Sequence, residues 1–319
     1  MAKYKMILDL DTGIDDALAI AYALATPESD LIGIVSSYGN ILVEQAAQNS
    51  LDLLELLGHT EVPVFKGLSH SSTTEKFEVM KISQRIHGVN GIGEVKIKKA
   101  DRKVEEMSGP DFFIEAAHKY GKDLLIVPTG PLTNLAAAIK KDPEIINLIG
   151  RVTMMGGALT VPGNVNAVTE ANINQDPEAA DFVFRSGIPL TMVGLDVTTR
   201  TLLTVNETKQ WRKLNTASSS AYADIVDYYI DAYKETSPHL GGCALHDPLA
   251  VAVAVEPSLV STLNLNMKVD TKGAYAGRTI GDETRINEPA LTTKAAVNVD
   301  TDRFLEEFME KLITLFQNN

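Results

Sequence analysis

Four acidic side chains lie close together near the beginning of the chain, around Gly13: Asp9, Asp11, Asp15 and Asp16. Like charges at this spacing repel more strongly than one helix N-terminus can offset, so the turn calls for a cation. Asp11 and Asp16 can both face one ion, and oxygen ligands without Cys or nearby His favour Ca²⁺ or Mg²⁺ over zinc. The alternative is an ordinary helix start capped by Asp11, with a solvated acidic first turn.

Three later segments carry further polar groups. Asp247 precedes an apolar helical pattern and is either an ordinary N-cap, with Pro248 at the first helical position, or a second acidic point beside His246. His246 could hold or deliver a proton near neutral pH. The loop at 127–134 could offer a backbone carbonyl to an ion, and the polar segment 170–176 suits a hydroxyl-rich ligand. None of these segments identifies a site by itself.

The elements that must position these groups alternate along the chain. Short, nearly continuous apolar runs are typical of strands buried on both faces of a parallel sheet, and we predict them at 5–10, 31–36, 62–65, 124–127, 152–155 and 190–193. Helical spacing of apolar residues predicts helices at 14–25, 43–57, 111–120, 132–141 and 177–185. This order predicts an α/β fold with an open, mostly parallel sheet flanked by helices, Rossmann-like, whose ligands bind at the carboxyl ends of the strands.

Two regions interrupt this alternation. Segment 69–109 is too long for a simple connection, and we expect a functional insertion with a mobile loop at 85–93. Segment 206–235 is largely helical, and its spacing puts Tyr222, Tyr229 and Tyr233 near one face, for which core packing is the default explanation. Strands are predicted at 263–269 and 295–299, before an amphipathic final helix. Without a linker or repeat, we expect one domain over residues 1–319.

Composition excludes several classes of protein. The 42 acidic and 29 basic side chains give a net charge of −13, which opposes general binding to nucleic acids or anionic membranes. The lysine-rich segment 96–103 alternates with acidic and apolar residues and suits a solvated face. No apolar run is long enough for a membrane span. With Cys243 as the only cysteine and no signal peptide pattern, we expect a cytoplasmic protein.

Taken together, these segments resemble the inosine-uridine-preferring nucleoside hydrolase family over nearly the whole chain. The matching blocks occur in the family's order: LDLDTGIDDALAI at 8–20, SYGN at 37–40, HGVNGIG at 87–93, VPTGPLTN at 127–134, MMGG at 154–157, EANINQDPEAA at 170–180, VGLDVT at 193–198 and HDP at 246–248. The resemblance implies a Ca²⁺-dependent enzyme that hydrolyses the N-glycosidic bond of ribonucleosides. It also implies a homodimer or homotetramer.

The resemblance further implies roles for individual residues. The ion would be held by Asp11, Asp16, the Thr129 carbonyl and Asp247, with Asp11 also the general base towards the attacking water. The ribose would be contacted by Asp15, Asn40, Asn164, Glu170 and Asn172. His246 would assist departure of the base, His87 would lie on a loop that closes over the site, and Tyr229 and Tyr233 are candidates for the base pocket. Carboxylates near the sugar suit the oxocarbenium character of such a reaction.

Departures from the family leave the base preference open. Leu10 and Thr12 replace the usual threonine and proline of the first motif, and Ala171 replaces a larger residue. An alternative is a Mg²⁺-dependent phosphatase of the haloacid dehalogenase type, for which Asp9 and Asp11 offer a nucleophile but segment 281–283 is only a partial late match. Another is a non-catalytic calcium- or sugar-binding protein, although Gly13 and Ile20 stand where an EF-hand needs ligands.

Overall fold

The computed structural model describes residues 3–319. Its strands are β1 (Tyr4–Leu10), β2 (Ser29–Ser36), β3 (Val64–Lys66), β4 (Leu124–Pro128), β5 (Arg151–Met155), β6 (Leu190–Val193), β7 (Leu202–Leu203), β8 (Cys243–Ala244), β9 (Val260–Leu265), β10 (Met267–Val269), β11 (Thr279–Gly281) and β12 (Thr293–Val299). Its helices are α1 (Ile14–Leu24), α2 (Val43–Leu56), α3 (Lys81–His87), α4 (Gly109–Tyr120), α5 (Thr133–Lys141), α6 (Ile145–Leu148), α7 (Ala171–Gln175), α8 (Pro177–Arg185), α9 (Leu195–Thr198), α10 (Val205–Arg212), α11 (Ala217–Thr236), α12 (His246–Val255) and α13 (Thr301–Gln317).

Eight strands form the central sheet, in the order β3-β2-β1-β4-β5-β6-β12-β9. All neighbours are parallel except β9, which runs antiparallel to β12 at the edge. The predicted open, mostly parallel α/β sheet is therefore confirmed. Chain order reverses between β1 and β4, and a ligand crevice forms outside the strands at such a switch point. The acidic turn follows β1, and the 127–134 loop follows β4, so both predicted segments reach this crevice.

The core lies in two layers because successive side chains of a strand point to opposite faces. In β1, Met6 and Leu8 pack into the layer that contains α1, α2 and α11 to α13, whereas Ile7 packs into the layer that contains α4, α5 and α8. Burial on both faces explains why β1 shows a continuous apolar run. Burying one such side chain contributes roughly 1.5–3 kcal/mol, so the strand that carries the acidic turn is firmly anchored.

Several sequence predictions need correction. The predicted strand 263–269 is two strands, because the chain leaves the central sheet at Asn266, and β10 pairs with β11 instead. Segment 206–235 is largely helical as predicted, and it forms α10 and α11. The predicted loop at 85–93 begins as helix, since α3 extends to His87. The third strand lies two residues later than its apolar run predicted.

The described residues contain no helix long and apolar enough to cross a membrane. Helices α1 and α12 are nearly enclosed by protein, with every residue from Ile14 to Ala23 and from His246 to Ala254 buried. They pack against each other, which explains why both are apolar on all sides. The N-terminus of each carries aspartates, so this packing brings two distant acidic segments together.

Candidate functional site

The acidic turn is built by the junction of β1 and α1. Gly13, and not Asp11, is the N-cap of α1, and its N–H donates to Oδ2 of Asp16 over 2.7 Å. Asp11 is held differently: its Oδ2 accepts from the backbone N–H of Asn40 over 2.6 Å. A Cβ on Gly39 would lie 2.0 Å from that oxygen, so only glycine at position 39 lets the turn at 37–40 approach Asp11 this closely. The interpretation of Asp11 as a simple helix cap is therefore wrong.

Carboxylates from the two buried helices meet at this turn. Oxygens of Asp15, Asp16 and Asp247 all lie within 4.8 Å of one another. Asp11 adjoins them, because Nδ2 of Asn40 lies 3.2 Å from its Oδ1 and 3.4 Å from Oδ2 of Asp16. Asp247 lies in the first turn of α12, whose N-cap is Leu245, so Asp247 is not the ordinary cap that its position allowed. Tertiary packing thus joins segments about 230 residues apart in sequence.

The electrostatics of this cluster are unfavourable without a positive charge. Burial and then repulsion by Asp16 raise the pKa of Asp15 to about 8. Burial also raises the pKa values of Asp11, Asp16 and Asp247. Within residues 3–319, no lysine or arginine pairs with these carboxylates, and the buried Oδ1 of Asp15 accepts no hydrogen bond. An oxygen-only cluster of this kind is compatible with a bound metal ion.

The loop after β4 closes the cluster from the neighbouring strand. The Thr129 hydroxyl donates to Oδ1 of Asp16 over 2.7 Å, and the Thr129 carbonyl accepts from Nδ2 of Asn172 over 2.6 Å. The same Asn172 amide also donates to the carbonyl of Met155 over 3.2 Å. Both of its N–H groups are used in this way, so Asn172 can offer only its Oδ1 to a ligand.

Glu170 is the N-cap of the short helix α7. Its carboxylate accepts from the backbone N–H groups of Gly157, Asn172 and Ile173, over 2.9 to 3.2 Å. Burial raises its pKa, and these N–H groups oppose that shift. Asn164 is fixed nearby, because its Oδ1 accepts from the N–H of Ala171. The polar segment 170–176 therefore contains a capped helix, and Glu170, Ala171 and Asn172 line the site.

Aromatic and imidazole rings form another part of the lining. The Tyr229 hydroxyl donates to Oδ2 of Asp15 over 3.3 Å and lies 3.5 Å from the Tyr233 hydroxyl, which is 2.7 Å from Nε2 of His246. Nδ1 of His246 lies 2.7 Å from the hydroxyl of Thr198. Burial lowers the pKa of His246 to about 4, so the ring is neutral. A neutral imidazole donates from one nitrogen only, so one neighbouring hydroxyl donates to the ring and the other accepts.

His87 lies beside these rings at the end of α3. Its Nδ1 accepts from the backbone N–H of Ile14 over 3.1 Å and lies 3.8 Å from Oδ1 of Asp15. Burial, followed by the charge of His246, lowers the pKa of His87 to about 3. Because Nδ1 is the acceptor, the proton of the neutral ring is on Nε2. The ring is buried, so His87 is already packed against the site in this structure.

These groups surround a cavity of about 520 Å³, a size typical of small-molecule sites. Most of the predicted site residues line it: Asp15, Asn40, His87, Thr129, Asn164, Glu170, Asn172, Tyr229, Tyr233, His246 and Asp247. Asp11 and Asp16 lie directly behind this surface. Tyr222 does not reach the cavity; it donates to the Ala17 carbonyl and packs in the core.

The sequence did not predict six further residues of the cavity lining, most of them apolar. Met80 and three residues of α3, namely Ile82, Ser83 and Ile86, line it, as do Met155 and Val165. The helical spacing from Ser83 to His87 and from Ile82 to Ile86 was the available signal, and it was masked by the expectation of a loop. Thr198, the partner of His246, lay in a matched block but had no recognisable chemistry by itself.

Two departures in the first motif have a structural explanation. The Thr12 hydroxyl lies 2.9 Å from that of Ser50 on α2, a contact that proline could not make, and Leu10 is buried in the core. Ala171 lines the cavity, where its small side chain leaves room.

Asp282, from the partial phosphatase match, is absent from the cavity and pairs with Arg185 and Arg285. The acidic turn therefore lacks the late aspartates of that alternative.

Comparison with known proteins agrees with this geometry. A model of the inosine-uridine preferring nucleoside hydrolase family matches residues 6–306. The chain is 36% identical to the probable uridine nucleosidase 2 of Arabidopsis thaliana, covering 97% of each chain. It is 33% identical to the pyrimidine-specific ribonucleoside hydrolase RihA of Escherichia coli, covering 96% of this chain and 97% of that protein.

A solved structure gives the same result in three dimensions. The purine-preferring ribonucleoside hydrolase from Gardnerella vaginalis superimposes with a TM-score of 0.98 at 61% identity, covering 99% of this chain and 100% of the other. Sequence, fold and the order of the matched blocks thus agree over the whole length. The chain belongs to the inosine-uridine preferring nucleoside hydrolase family.

Proposed function

We propose that the protein hydrolyses the N-glycosidic bond of ribonucleosides in a calcium-dependent reaction that releases free base and ribose. The observation that carries the proposal is the mixed lining of the cavity. It combines buried carboxylates and amides, suited to ribose hydroxyls, with aromatic, apolar and imidazole side chains, suited to a base. The family membership and the names of the relatives support the same reaction.

The residues fit a calcium ion by their chemistry. Asp11, Asp16, Asp247 and the Thr129 carbonyl would hold it, and all of them are hard oxygen donors. The raised pKa values of the aspartates and the unpartnered Oδ1 of Asp15 support the binding of a cation among these carboxylates. When bound, calcium would orient the attacking water and the ribose diol and would offset the charge of the carboxylates.

The protein's own groups account for the remaining requirements. The backbone N–H and the side-chain amide of Asn40 both donate to Asp11. Asp11 would accept the proton of the attacking water. Asp15, Glu170 and Asn172 would accept from ribose hydroxyls and stabilise the positive charge that develops on the sugar. His246, hydrogen-bonded to Tyr233, would assist departure of the base.

We infer that purine ribonucleosides are among the substrates. The 61% identical structure is named purine-preferring, whereas the relatives named for uridine or pyrimidines are 33% to 36% identical. The homo-oligomeric assembly and the cytoplasmic location stay predictions from sequence, which light scattering and cell fractionation would test.

A substrate panel tests the proposal. Inosine, guanosine, adenosine, uridine and cytidine are incubated with the purified protein, with and without a calcium chelator, and free base and ribose are measured. We expect chelator-sensitive release, with inosine among the good substrates. If folded, calcium-loaded protein binds nucleosides but releases no base from any of them, the protein is a binder and the proposal fails.

A further inference from the structure

One buried side chain of α2 connects two parts of the site without reaching the cavity. Nδ2 of Asn49 donates to the Asn90 carbonyl over 2.8 Å and to the Thr12 carbonyl over 3.3 Å. Its Oδ1 accepts from Nε2 of Gln45 over 2.7 Å. With both N–H groups and the oxygen engaged, the amide has one possible orientation. Only 2% of Asn49 is exposed, so water cannot replace these bonds.

The two carbonyls belong to two neighbouring turns, the aspartate turn and the turn that follows His87. Thr12 lies between Asp11 and the N-cap Gly13, so its carbonyl is part of the turn that carries the aspartates. Asn90 lies in the turn after α3, and its own Oδ1 accepts from the N–H groups of Ile92 and Glu94. Asn49 thereby joins the aspartate turn to the turn that follows His87.

Two further observations support a close and specific contact. A Cβ on Gly91, whose φ is +84°, would lie 2.9 Å from Nδ2 of Asn49, so the second turn can approach only with glycine there. The Gly93 N–H donates to the His87 carbonyl over 2.8 Å, which links this turn to the imidazole. The hydrogen bond between Ile14 and His87 is one connection between these turns, and Asn49 provides another.

We propose that Asn49 is a positioning residue for the hydrolytic reaction. It sets the spacing between the aspartate turn, which carries Asp11 and leads into Asp15, and the turn that follows His87. The inference rests on the proposed function for its kinetic consequence. A small displacement of reacting groups lowers a rate by up to about 100-fold, so an effect on turnover is expected although Asn49 touches no substrate.

The test compares Asn49→Leu with a matched variant, Asn266→Leu. Asn266 is also buried, donates from Nδ2 to the Arg285 carbonyl and accepts the N–H of Thr292, but it lies at the junction of β9 and β10, outside the cavity lining. Both variants lose hydrogen bonds to the backbone. We expect Asn49→Leu to lower kcat about 10- to 100-fold with a smaller change in KM, and Asn266→Leu to keep kcat near the wild-type value.

A second readout does not depend on activity. Hydrogen–deuterium exchange is measured on the folded variants, and we expect Asn49→Leu to accelerate exchange in peptides covering 12–17 and 87–95, with no such change in Asn266→Leu. A kcat loss that is non-additive with His87→Ala would support action through this turn. Unchanged exchange in both turns, or equal kcat losses in the two leucine variants, would overturn the inference. If the wild type hydrolyses no nucleoside, the proposed function fails by itself, and exchange still tests the connection.

Discussion

Two sets of buried aspartates in this chain have opposite properties. Asp282 is completely enclosed, yet Arg285 and Arg185 lie 2.7 and 3.0 Å from its Oδ2, and Thr284 donates to its Oδ1. Burial alone would raise its pKa, but the hydrogen bonds from Thr284 and Arg285 and the charge of Arg185 lower it to about 2. Asp15, also buried, has a pKa raised to about 8.

The difference between them is the counter-charge. The Asp282 site supplies its own cations from two arginines, and it is a structural ion-pair network. The cavity cluster brings carboxylates together from β1, α1 and α12 with no arginine or lysine among its described neighbours. Burying unpaired charge is costly, so such a cluster is retained where an external cation completes it. Burial of a single acid therefore does not indicate a binding site, whereas several buried carboxylates that lie together without a side-chain cation do.

The largest expected effect separates the two sets by activity. Asp11→Asn should lower kcat by about 10³-fold or more, because it removes the proposed general base and one calcium ligand while keeping the size of the side chain. Asp282→Asn should leave kcat within about twofold, since that carboxylate is outside the cavity. Initial rates of base release at saturating nucleoside measure both. Near-normal turnover of Asp11→Asn would contradict the assigned role.

Calcium should distinguish the two sets by stability. A ligand that binds only the folded state adds roughly 2.7 kcal/mol at 100 times its dissociation constant, so calcium should raise the thermal midpoint and chelation should lower it. The shift should persist in Asp282→Asn and disappear in Asp16→Asn. Differential scanning calorimetry with and without calcium measures it. A full calcium shift in Asp16→Asn would place the ion elsewhere.

The neutral imidazole beside the acidic cluster allows a subtler test. Tyr233→Phe removes the hydroxyl on Nε2 of His246 but no carboxylate, so kcat with inosine should fall about tenfold while the calcium shift is retained. A riboside with a 4-nitrophenolate leaving group needs no proton, and its hydrolysis should be nearly unaffected. Equal losses with both substrates would argue against a role in departure of the base.

The last prediction concerns pH. The pKa of Asp282 is lower in the folded chain than the unfolded value near 3.9, so its contribution is present above about pH 4 and is lost as the pH falls towards 2. Asp282→Asn should therefore cost about 2 kcal/mol of unfolding free energy near neutral pH and less at pH 3. Urea unfolding at pH 3 to 7 measures the difference. If the substitution lowers the free energy of unfolding equally at every pH, the arginines do not stabilise the fold through the charge of Asp282.

Much of the architecture was predictable because its signals are local. The apolar runs, the helix at 177–185 and the final amphipathic helix are properties of short segments, and the structure has them. The acidic turn was also visible, since close like charges indicate a cation wherever the chain places them. Local signals failed at Asn266, where the chain leaves the central sheet, and at α3, where a loop was predicted. Both outcomes depend on packing against segments that are distant in sequence.

By itself, then, the sequence determined the strand and helix pattern, the acidic turn and the family to which the chain belongs. Only the tertiary structure decided which groups converge. It packs α1 against α12 so that Asp247 reaches Asp15 and Asp16, and it ties Asn49 to two turns about 78 residues apart. Such contacts follow from strand order and helix packing, which set distances between segments that no local pattern encodes.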